Sequence, residues 1–443
     1  METNLQSNSN KIENRKLKWK ADVSDTEQPK APIMVGLATG IGALLWLGPF
    51  NGMNNLLNPA KMANIMGGAG SQVNNFLALL GTLGAVTSTI TTIIIGALSD
   101  LTRSRWGRRT PWLIVGSLLT AAVMIGLGLI NSRAGLPIFI VLWCLLQTFI
   151  NMIVAPLLAV IADRVAPMHR GLISSIYATG FVIGQYGGPV VGGTFLSTTD
   201  PNLVNVGYYV FAFLMLLSGP IAALMLKEKS SLTMPKMKMD WKRFMQYFIF
   251  PIHNTRNFYL ALFGKMLINI TTTTFATYQL FILTSDMGLK NSSAGKYISL
   301  MGTITMVAAI LFSTISGPIS DKMKTRKWPV AFAAFLIATG TMLPFLLRHP
   351  AIMLLYGVFA GIGSGIFFSV DQALNLEVLP NPANSAKDLG ILNLANTGGQ
   401  ILGPVIGAIL YGLVGHNYLP ILPILTIIAL VGAALVLSIK EQH

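Results

Sequence analysis

The sequence has little charge, few histidines and almost no cysteine. Charged residues make up 11% of the 443, and the single cysteine, Cys144, excludes a framework of disulfide bonds. The five histidines are scattered, without the paired spacing of zinc sites, so we predict no metal site. No phosphate-cradling glycine loop is present, which argues against energy from nucleotide hydrolysis. We therefore predict no cofactor and no enzymatic activity.

What the sequence has in abundance is apolar residues, which make up 53% of the chain with a mean hydropathy of +0.62. Twelve mainly apolar stretches are long enough to cross a bilayer. They lie at residues 33–57, 73–98, 112–130, 137–162, 171–196, 204–226, 257–283, 294–316, 328–347, 351–376, 389–414 and 419–439. The fold class is therefore predicted as an all-α, multi-pass membrane protein with twelve transmembrane helices.

Lysine and arginine are distributed unevenly over the connecting segments. With a cytoplasmic N-terminus, 25 of the 31 lie in cytoplasmic segments. The outer loops would hold Lys61, Arg133, Lys290, Lys296 and Arg348. Because short loops rich in Lys and Arg stay in the cytoplasm, we expect both termini to be cytoplasmic and the protein to lie in the cell membrane. The net charge of +15 is thus explained without nucleic acid as a partner.

The chain divides into four parts. Residues 1–32 are polar and basic, and we expect a disordered cytoplasmic tail. Residues 33–226 and 257–440 each contain six predicted spans. Residues 227–256 between them form a basic cytoplasmic linker with aromatic residues, a mixture typical of a helix on the inner leaflet.

Two motifs occur once in each half. Gly-Gln-x-x-Gly-Pro-Val-x-Gly is found at 184–192 and at 399–407, and Gly-x-x-Ser-Asp at 96–100 and at 317–321. Each copy falls at the corresponding span of its half. The repeats predict two pseudo-symmetric six-helix halves, the plan of a transporter that rocks around a central site.

An arginine-rich segment follows the second predicted span. Asp100 ends that span, where the helix dipole is unfavourable for an acid and nearby arginines can compensate it. The arginines either anchor the topology or form a latch that breaks as the halves move. The candidate gating residues are Asp100, Arg105, Arg108, Arg109 and Asp321, the last belonging to a weaker copy in the second half.

One acid and one lysine lie well inside the predicted spans, away from their ends. Asp371 is the acid, and a carboxylate partly removed from water can bind a proton near neutral pH, or else brace two helices. Lys265 either reaches the membrane interface or turns inward to pair with Asp371 or with a substrate. We predict both residues as candidates for coupling.

Amide and hydroxyl side chains also lie within the spans. Amides donate and accept hydrogen bonds, so a set of them suits a neutral, polyhydroxylated solute, although each could instead brace two helices. The candidate substrate-binding residues are Asn54, Gln147, Asn151, Gln185, Tyr186, Lys265, Asn269, Tyr278, Gln279, Gln372, Asn396 and Gln400.

The arginine-rich segment also carries a family resemblance. Gly-x-x-x-Asp at 96–100, followed by Arg-x-Gly-Arg-Arg at 105–109, resembles the signature between helices 2 and 3 of the major facilitator superfamily. The longer run at 99–112, with Ala-Asp at 162–163 and Lys-Asp-Leu-Gly at 387–390, is similar to the sucrose-transporter-like and glycoside-pentoside-hexuronide:cation symporter branches. Sodium-coupled members of the melibiose-permease type carry carboxylates in helix 2, where this sequence has Thr-Ile-Thr-Thr at 89–92. Protons, or no coupling ion, are therefore expected in place of sodium.

Together these features predict a secondary active transporter of a small polar solute, a sugar or glycoside, that works by alternating access with protons. We expect a monomer whose partners are the solute, protons and the lipid bilayer. Two alternatives stay open. One is a proton-linked efflux carrier for amphipathic compounds, and the other is a non-transporting membrane assembly or sensor protein on the same fold.

Overall fold

The computed structural model describes residues 28–196, 200–232, 251, 255–323, 325–379 and 385–440. Twelve long helices and no strands occur in these residues. Residues 1–27 of the predicted tail and residues 233–250 and 252–254 of the predicted linker lie outside the described part of the chain.

The twelve helices correspond one to one with the predicted spans. The first half contains α1 (Ile33–Met66), α2 (Ser71–Leu101), α3 (Thr110–Leu129), α4 (Leu136–Arg164), α5 (Pro167–Gly193) and α6 (Leu203–Leu226). The second half contains α7 (Arg256–Phe281), α8 (Asn291–Met323), α9 (Lys327–Leu347), α10 (Ile352–Glu377), α11 (Ser385–Leu413) and α12 (Ile421–Leu437). In the described residues, nine helices are apolar and long enough by themselves to cross a membrane. The others are α5 and α11, which carry the repeated glycine motif, and the shorter α12.

Helix α1 is longer than predicted. A π-helical turn at Met53–Leu57 joins its first segment to a last segment at Asn58–Met66. Pro59 does not end the helix because it lies in the first turn of that last segment, where a backbone N–H is not needed. The assignment of Lys61 to an outer loop was therefore wrong. The same holds for Lys296, which lies in the second turn of α8.

The buried Lys61 links three helices. Its side chain is 2% exposed, and its Nζ donates to Gly128 O at 2.9 Å, Asn131 Oδ1 at 3.0 Å and Asn205 Oδ1 at 2.5 Å. Gly128 is near the C-terminal end of α3, where a cation is favoured by the helix dipole. Lys61 thus holds α1 to α3 and α6 through oxygens that carry no formal charge.

The helices pack in the same pattern in both halves. In the first half α1 packs against α5 and α6, α3 against α4 and α6, and α2 against α4. In the second half α7 packs against α11 and α12, α9 against α10 and α12, and α8 against α10. Between the halves, α5 packs against α8 and α2 against α11, which are equivalent pairs. The pseudo-symmetric halves predicted from the repeated motifs are confirmed.

Glycines bring α5 very close to α1. A Cβ on Gly180 would overlap the carbonyl oxygen of Gly40, and one on Gly188 would overlap that of Gly48. Lipid tails are as apolar as leucine, so helices in a bilayer associate through close backbone packing and polar contacts. In the first half, the repeated motif of α5 therefore serves as a packing surface.

The second copy of the motif packs α11 on α7 with different chemistry. Thr273 Oγ1 donates to Gly399 O at 2.8 Å, and Thr274 Oγ1 donates to Gly403 O at 2.9 Å. Tyr278 OH donates to Pro404 O at 2.8 Å. The glycines of α11 leave room for these side chains, which bond to its backbone in place of the glycine–glycine contacts of α1 and α5.

The bundle has two different ends. Helices α2, α4 and α6 end at one side of the bundle, which we call the arginine-rich end. Helices α1, α3 and α5 end at the opposite side, which we call the remote end. At the remote end the halves touch: Ser299 Oγ of α8 donates to Val190 O of α5 at 2.7 Å. Nearby, the backbones of Gly193 and Gly295 approach so closely that neither position has room for a Cβ.

We predict that Gly180→Ala lowers the midpoint of thermal unfolding in detergent, because its new methyl group displaces α1. The expected loss is about 2 kcal/mol or more of folding free energy. The matched control is Gly171→Ala on the same helix, where a Cβ meets nothing within 4 Å. It should change the unfolding free energy by less than about 1 kcal/mol. Equal stability of the two variants would contradict the α1–α5 packing.

Candidate functional site

The second half contains a buried ion pair between α7 and α10. Lys265 Nζ lies 2.5 Å from Asp371 Oδ2, and the two side chains are 6% and 7% exposed. Of the two placements considered for Lys265, the structure therefore has the inward one. An isolated charge away from water is strongly unfavourable, so a buried charge in a membrane span requires a partner of opposite sign.

Amides extend this pair to α11. Asn375 Nδ2 donates to Asp371 Oδ2 at 3.0 Å. Asn269 Nδ2 donates to Lys265 O at 2.9 Å and to Asn396 Oδ1 at 3.1 Å. Lys265, Asp371, Asn269, Asn375 and Asn396 form a continuous polar cluster, which we call the α7–α10–α11 cluster. Asn375 lies four residues from Asp371 on the same helix, a spacing that brings two side chains together.

Other candidate residues brace helices elsewhere. Asn151 Nδ2 donates to Ser88 Oγ at 2.9 Å and Thr91 Oγ1 at 3.1 Å, and its Oδ1 accepts from Thr92 Oγ1 at 2.5 Å. Its side chain therefore ties α4 to α2. Gln147 is one turn earlier on α4, and its backbone carbonyl oxygen accepts a further hydrogen bond from Asn151 Nδ2 at 2.8 Å.

The remaining candidates are spread over both halves. Gln185 Oε1 accepts from Asn51 Nδ2 at 2.7 Å, Asn54 Nδ2 donates to Asn55 Oδ1 at 3.0 Å, and Tyr186 follows Gln185 on α5. Tyr278 and Gln279 are buried in α7, whereas Gln400 is exposed on α11. Gln372 lies in α10, but its side chain is outside the described part of the structure. The structure thus gathers Lys265, Asn269 and Asn396 around Asp371, whereas Asn54, Gln147, Asn151, Gln185 and Tyr186 lie in the first half.

At the arginine-rich end, Arg109 lies at the centre of a charged cluster. Its Nη2 is 2.5 Å from Asp100 Oδ1 and 3.0 Å from Asp163 Oδ2, and its Nη1 donates to Ser99 Oγ at 2.5 Å. Arg108 Nη2 is 2.6 Å from the same Asp163 oxygen. The cluster joins the ends of α2 and α4 to the start of α3. Arg105 is exposed, and the side chain of Asp321 lies outside the described residues.

The sequence analysis did not identify Asp163 or Glu228 as partners of these arginines. Glu228, which directly follows α6 and Lys227, lies at the N-terminus of α3. Its Oε2 accepts from Arg109 N and Thr110 N at 2.9 Å and from Thr110 Oγ1 at 3.1 Å. A carboxylate is favoured there because the first N–H groups of a helix have no partner within it. The beginning of the linker is thereby fixed to the arginine-rich segment.

An equivalent cluster occurs in the second half. Arg326 lies immediately before α9, as Arg109 lies immediately before α3. Its Nη1 donates to Ser320 Oγ at 3.1 Å, and its Nε is 3.4 Å from Glu377 Oε1 at the end of α10. Ser320, Arg326 and Glu377 therefore occupy the positions of Ser99, Arg109 and Asp163.

The N-terminal segment also reaches this end. Gln28 Nε2 donates to Arg164 O at 3.2 Å, and Gln28 Oε1 accepts from Ala166 N at 2.8 Å. His169 Nε2 lies 2.9 Å from Gln28 O. These contacts hold residue 28 against the α4–α5 loop, next to Asp163.

A family model described as Major Facilitator Superfamily matches residues 41–295 and 261–442. The chain therefore belongs to the Major Facilitator Superfamily, a family of membrane carriers and not of enzymes. A curated relative from Schizosaccharomyces pombe (strain 972 / ATCC 24843), Uncharacterized MFS-type transporter C18.02, is 26% identical over 136 residues. This match spans 31% of the chain and 30% of the relative's own length.

Solved structures with the same fold are similar over nearly the whole chain. A mutant of the nucleoside transporter NupG has a TM-score of 0.70 at 12% identity, covering 92% of this chain and 100% of that one. The peptide transporter POT in complex with sulfate has a TM-score of 0.69 at 16% identity, covering 91% and 94%. A bacterial homolog of the human lysosomal transporter Spinster, in an inward-facing and occupied conformation, has a TM-score of 0.67 at 13% identity. The match covers 91% of this chain and 95% of that one. At these identities the likeness establishes the fold alone.

We predict that Gly107→Ala releases Glu228 from α3. Gly107 has φ of +96°, and a Cβ there would overlap the Glu228 carboxylate. Trypsin should then cleave faster after Lys227 and Lys229, as followed by mass spectrometry of the intact protein.

The matched control is Gly67→Ala, since Gly67 has φ of +86° with nothing within 4 Å of a Cβ. It carries only the backbone strain of about 1–2 kcal/mol. Equal cleavage in the two variants would show that Glu228 is not held as the structure indicates.

Proposed function

We propose that this transporter is a proton-coupled secondary carrier that moves a small polar solute, a sugar or glycoside, by alternating access. The observation that supports it most is the buried pair of Lys265 and Asp371. Ionisable groups within membrane spans are costly and are typical of proton and substrate pathways.

Proton binding at Asp371 supplies the coupling step in this proposal. The proton neutralises the carboxylate that Lys265 and Asn375 both contact, and so weakens the attachment of α7 to α10. Lys265 is linked through Asn269 to Asn396 on α11. Because α11 packs against α2 of the other half, a change at Asp371 can alter the contact between the halves.

The composition of the cluster supports a neutral solute. When a proton neutralises Asp371, the groups left to bind a solute are the Lys265 Nζ and the amides of Asn269, Asn375 and Asn396. Hydroxyl groups match these donors and acceptors, and an amide can serve one hydroxyl as donor and another as acceptor. The exposed Gln400, one turn from Asn396 on α11, adds a further amide beside the cluster.

The arginine clusters provide the gate in this proposal. In the first half, ion pairs hold the ends of α2 and α4 to the start of α3; they involve Arg108, Arg109, Asp100 and Asp163. In the second half, the pair of Arg326 and Glu377 joins the start of α9 to the end of α10. Helices joined in this way move as a unit. When the two halves close at this end, one rigid group of helices from each half therefore meets the other. We place the arginine-rich end in the cytoplasm of the cell membrane, with the chain as a monomer.

We predict that Asp371→Asn abolishes the pH dependence of transport, since an amide side chain does not ionise near neutral pH. The measurement is counterflow of radiolabelled sugars and glycosides in proteoliposomes over a range of pH, per inserted protein. The control is Asp200→Asn in the exposed α5–α6 connection, which should retain the parent's pH profile.

Unchanged pH dependence in Asp371→Asn would rule out coupling at this residue. Exchange of amphipathic compounds without sugars would support efflux instead. If the parent exchanged no solute at all, a non-transporting assembly role would be favoured.

We also predict that Asp163→Asn slows exchange more than Asp100→Asn does. Asp163 accepts from two arginines and is 25% exposed, whereas Asp100 is 51% exposed and contacts one. Exposed ion pairs contribute about 0–1 kcal/mol, so the larger effect belongs to the more buried acid. Exchange rates of both variants at equal insertion test the order, and the reverse order would contradict the proposed gate.

A further inference from the structure

The remote end contains a contact between the halves that none of the predicted gating residues provides. Tyr418 OH, from the loop between α11 and α12, donates to Asn74 Oδ1 in the first turn of α2 at 3.1 Å. Tyr418 is 1% exposed and Asn74 is fully buried. The bond therefore joins the second half to the first across a region sealed from water.

An acid from another helix fixes the position of Tyr418. Asp286 ends the π-helical turn Ile282–Asp286 that follows α7. Its Oδ2 accepts from Tyr418 N at 2.7 Å and from Leu419 N at 2.5 Å. These N–H groups directly precede α12, where a carboxylate is favoured by the helix dipole. Asp286 thereby sets the height and direction of the Tyr418 side chain.

Aromatic side chains of the second half enclose the Tyr418 ring. The centroids of Tyr411, Phe281 and Tyr278 lie 4.5, 5.5 and 5.6 Å from it. All three belong to α7 or α11, in the same half as Tyr418. The phenol ring therefore moves with the second half, and its hydroxyl alone is bonded to the first.

Separation of the halves at this end must break the Tyr418–Asn74 bond. In the described residues, Asn74 Nδ2 has no hydrogen-bond partner in the closed arrangement. Water that enters on opening can bond both that group and the freed Oδ1. The hydrogen bonds that Asn74 gains from water offset the loss of its hydrogen bond from the Tyr418 hydroxyl. The closed and open forms therefore stay close in free energy.

We infer that Tyr418 and Asn74 form the gate at the remote end and that Asp286 is a positioning residue that holds this gate closed. This inference rests on the alternating access proposed above. It adds an acid to the transport cycle that is distinct from Asp371 and acts through the backbone of the α11–α12 loop.

The chain contains a matched control for the hydrogen bond. Tyr208 OH of α6 donates to Asn58 Oδ1 of α1, and Asn58 Nδ2 likewise has no partner in the described residues. This pair lies at the same end, is equally buried and has the same chemistry, but both residues belong to the first half. Tyr208→Phe therefore removes a similar bond without affecting the contact between halves.

Two reporter cysteines in a full-length Cys144→Ser background distinguish opening from unfolding. Leu196→Cys lies just after α5 at the remote end, where Leu196 is 4% exposed and packs against Gly295 of α8. Phe368→Cys lies on α10 nearer the arginine-rich end, where Phe368 is 37% exposed and its ring is 6.1 Å from that of Phe181 on α5. Opening at the remote end should expose the first reporter and protect the second.

The experiment measures the rate at which a water-soluble maleimide labels each reporter in proteoliposomes. We expect Tyr418→Phe to speed labelling of Leu196→Cys about two- to tenfold, the effect of losing one net hydrogen bond, and to slow labelling of Phe368→Cys. Asp286→Ala should act in the same direction. Asp286→Asn should largely restore the parent rates, because its amide oxygen can still accept from the two backbone N–H groups.

Labelling in Tyr418→Phe that equals labelling in Tyr208→Phe would overturn the inference. Faster labelling of both reporters together would also overturn it, since that pattern indicates a loosened fold and not a gate. Neither reporter requires a transported solute. A protein that gives the expected labelling but exchanges no solute would therefore refute the proposed function and leave the gate intact.

Discussion

In a bilayer, helices gain little from burying apolar side chains against one another, so the arrangement of this chain depends on close backbone packing. The strongest example is α1 against α5, where Gly40 and Gly48 face Gly180 and Gly188 without room for a Cβ. The equivalent pair, α7 and α11, uses threonine hydroxyls that donate to backbone carbonyls. Each half is thereby a rigid unit, and the main contacts left to change are those between the halves, chiefly of α2 with α11 and of α5 with α8.

The same environment requires that buried charges find partners within the protein. Lys265 is paired with Asp371, and Lys61 is surrounded by three neutral oxygens. Lys61 contacts the C-terminal end of α3, and Arg133 Nη2, just after α3, in turn donates at 2.6 Å to Met66 O, the last carbonyl of α1. The two helices exchange cationic caps, which explains basic residues at the end opposite the arginine-rich segment.

Much of the fold was predictable because its signals are local or repeated. Length and hydropathy located twelve helices, and two repeated motifs established the halves. The extension of α1 was not predicted, since the π-helical turn that allows it depends on packing. Within the candidate site, sequence could name Lys265 and Asp371 but not decide between the two placements of Lys265.

The partners of the arginines were harder to predict for a different reason. Asp163 is 54 residues from Arg109, and Glu228 is 119 residues from it, so only the packing of α3 with α4 and α6 brings these acids together. Local sequence pointed to Asp100, which is near Arg109 in the chain but is the more exposed partner. The substrate-binding, coupling and gating roles proposed for the candidate residues are predictions, and for Asp321 and Gln372 the side chains lie outside the described part of the structure.

The most direct test of the whole account is the distance between the halves at the arginine-rich end. Spin labels at Leu172→Cys on α5 and Met323→Cys on α8, both exposed positions, can be introduced into a Cys144→Ser background. Double electron–electron resonance in lipid should show two distances whose proportions change with pH, and Asp371→Asn should remove that change. A single distance that is the same at every pH would contradict a proton-driven exchange between two arrangements of rigid halves.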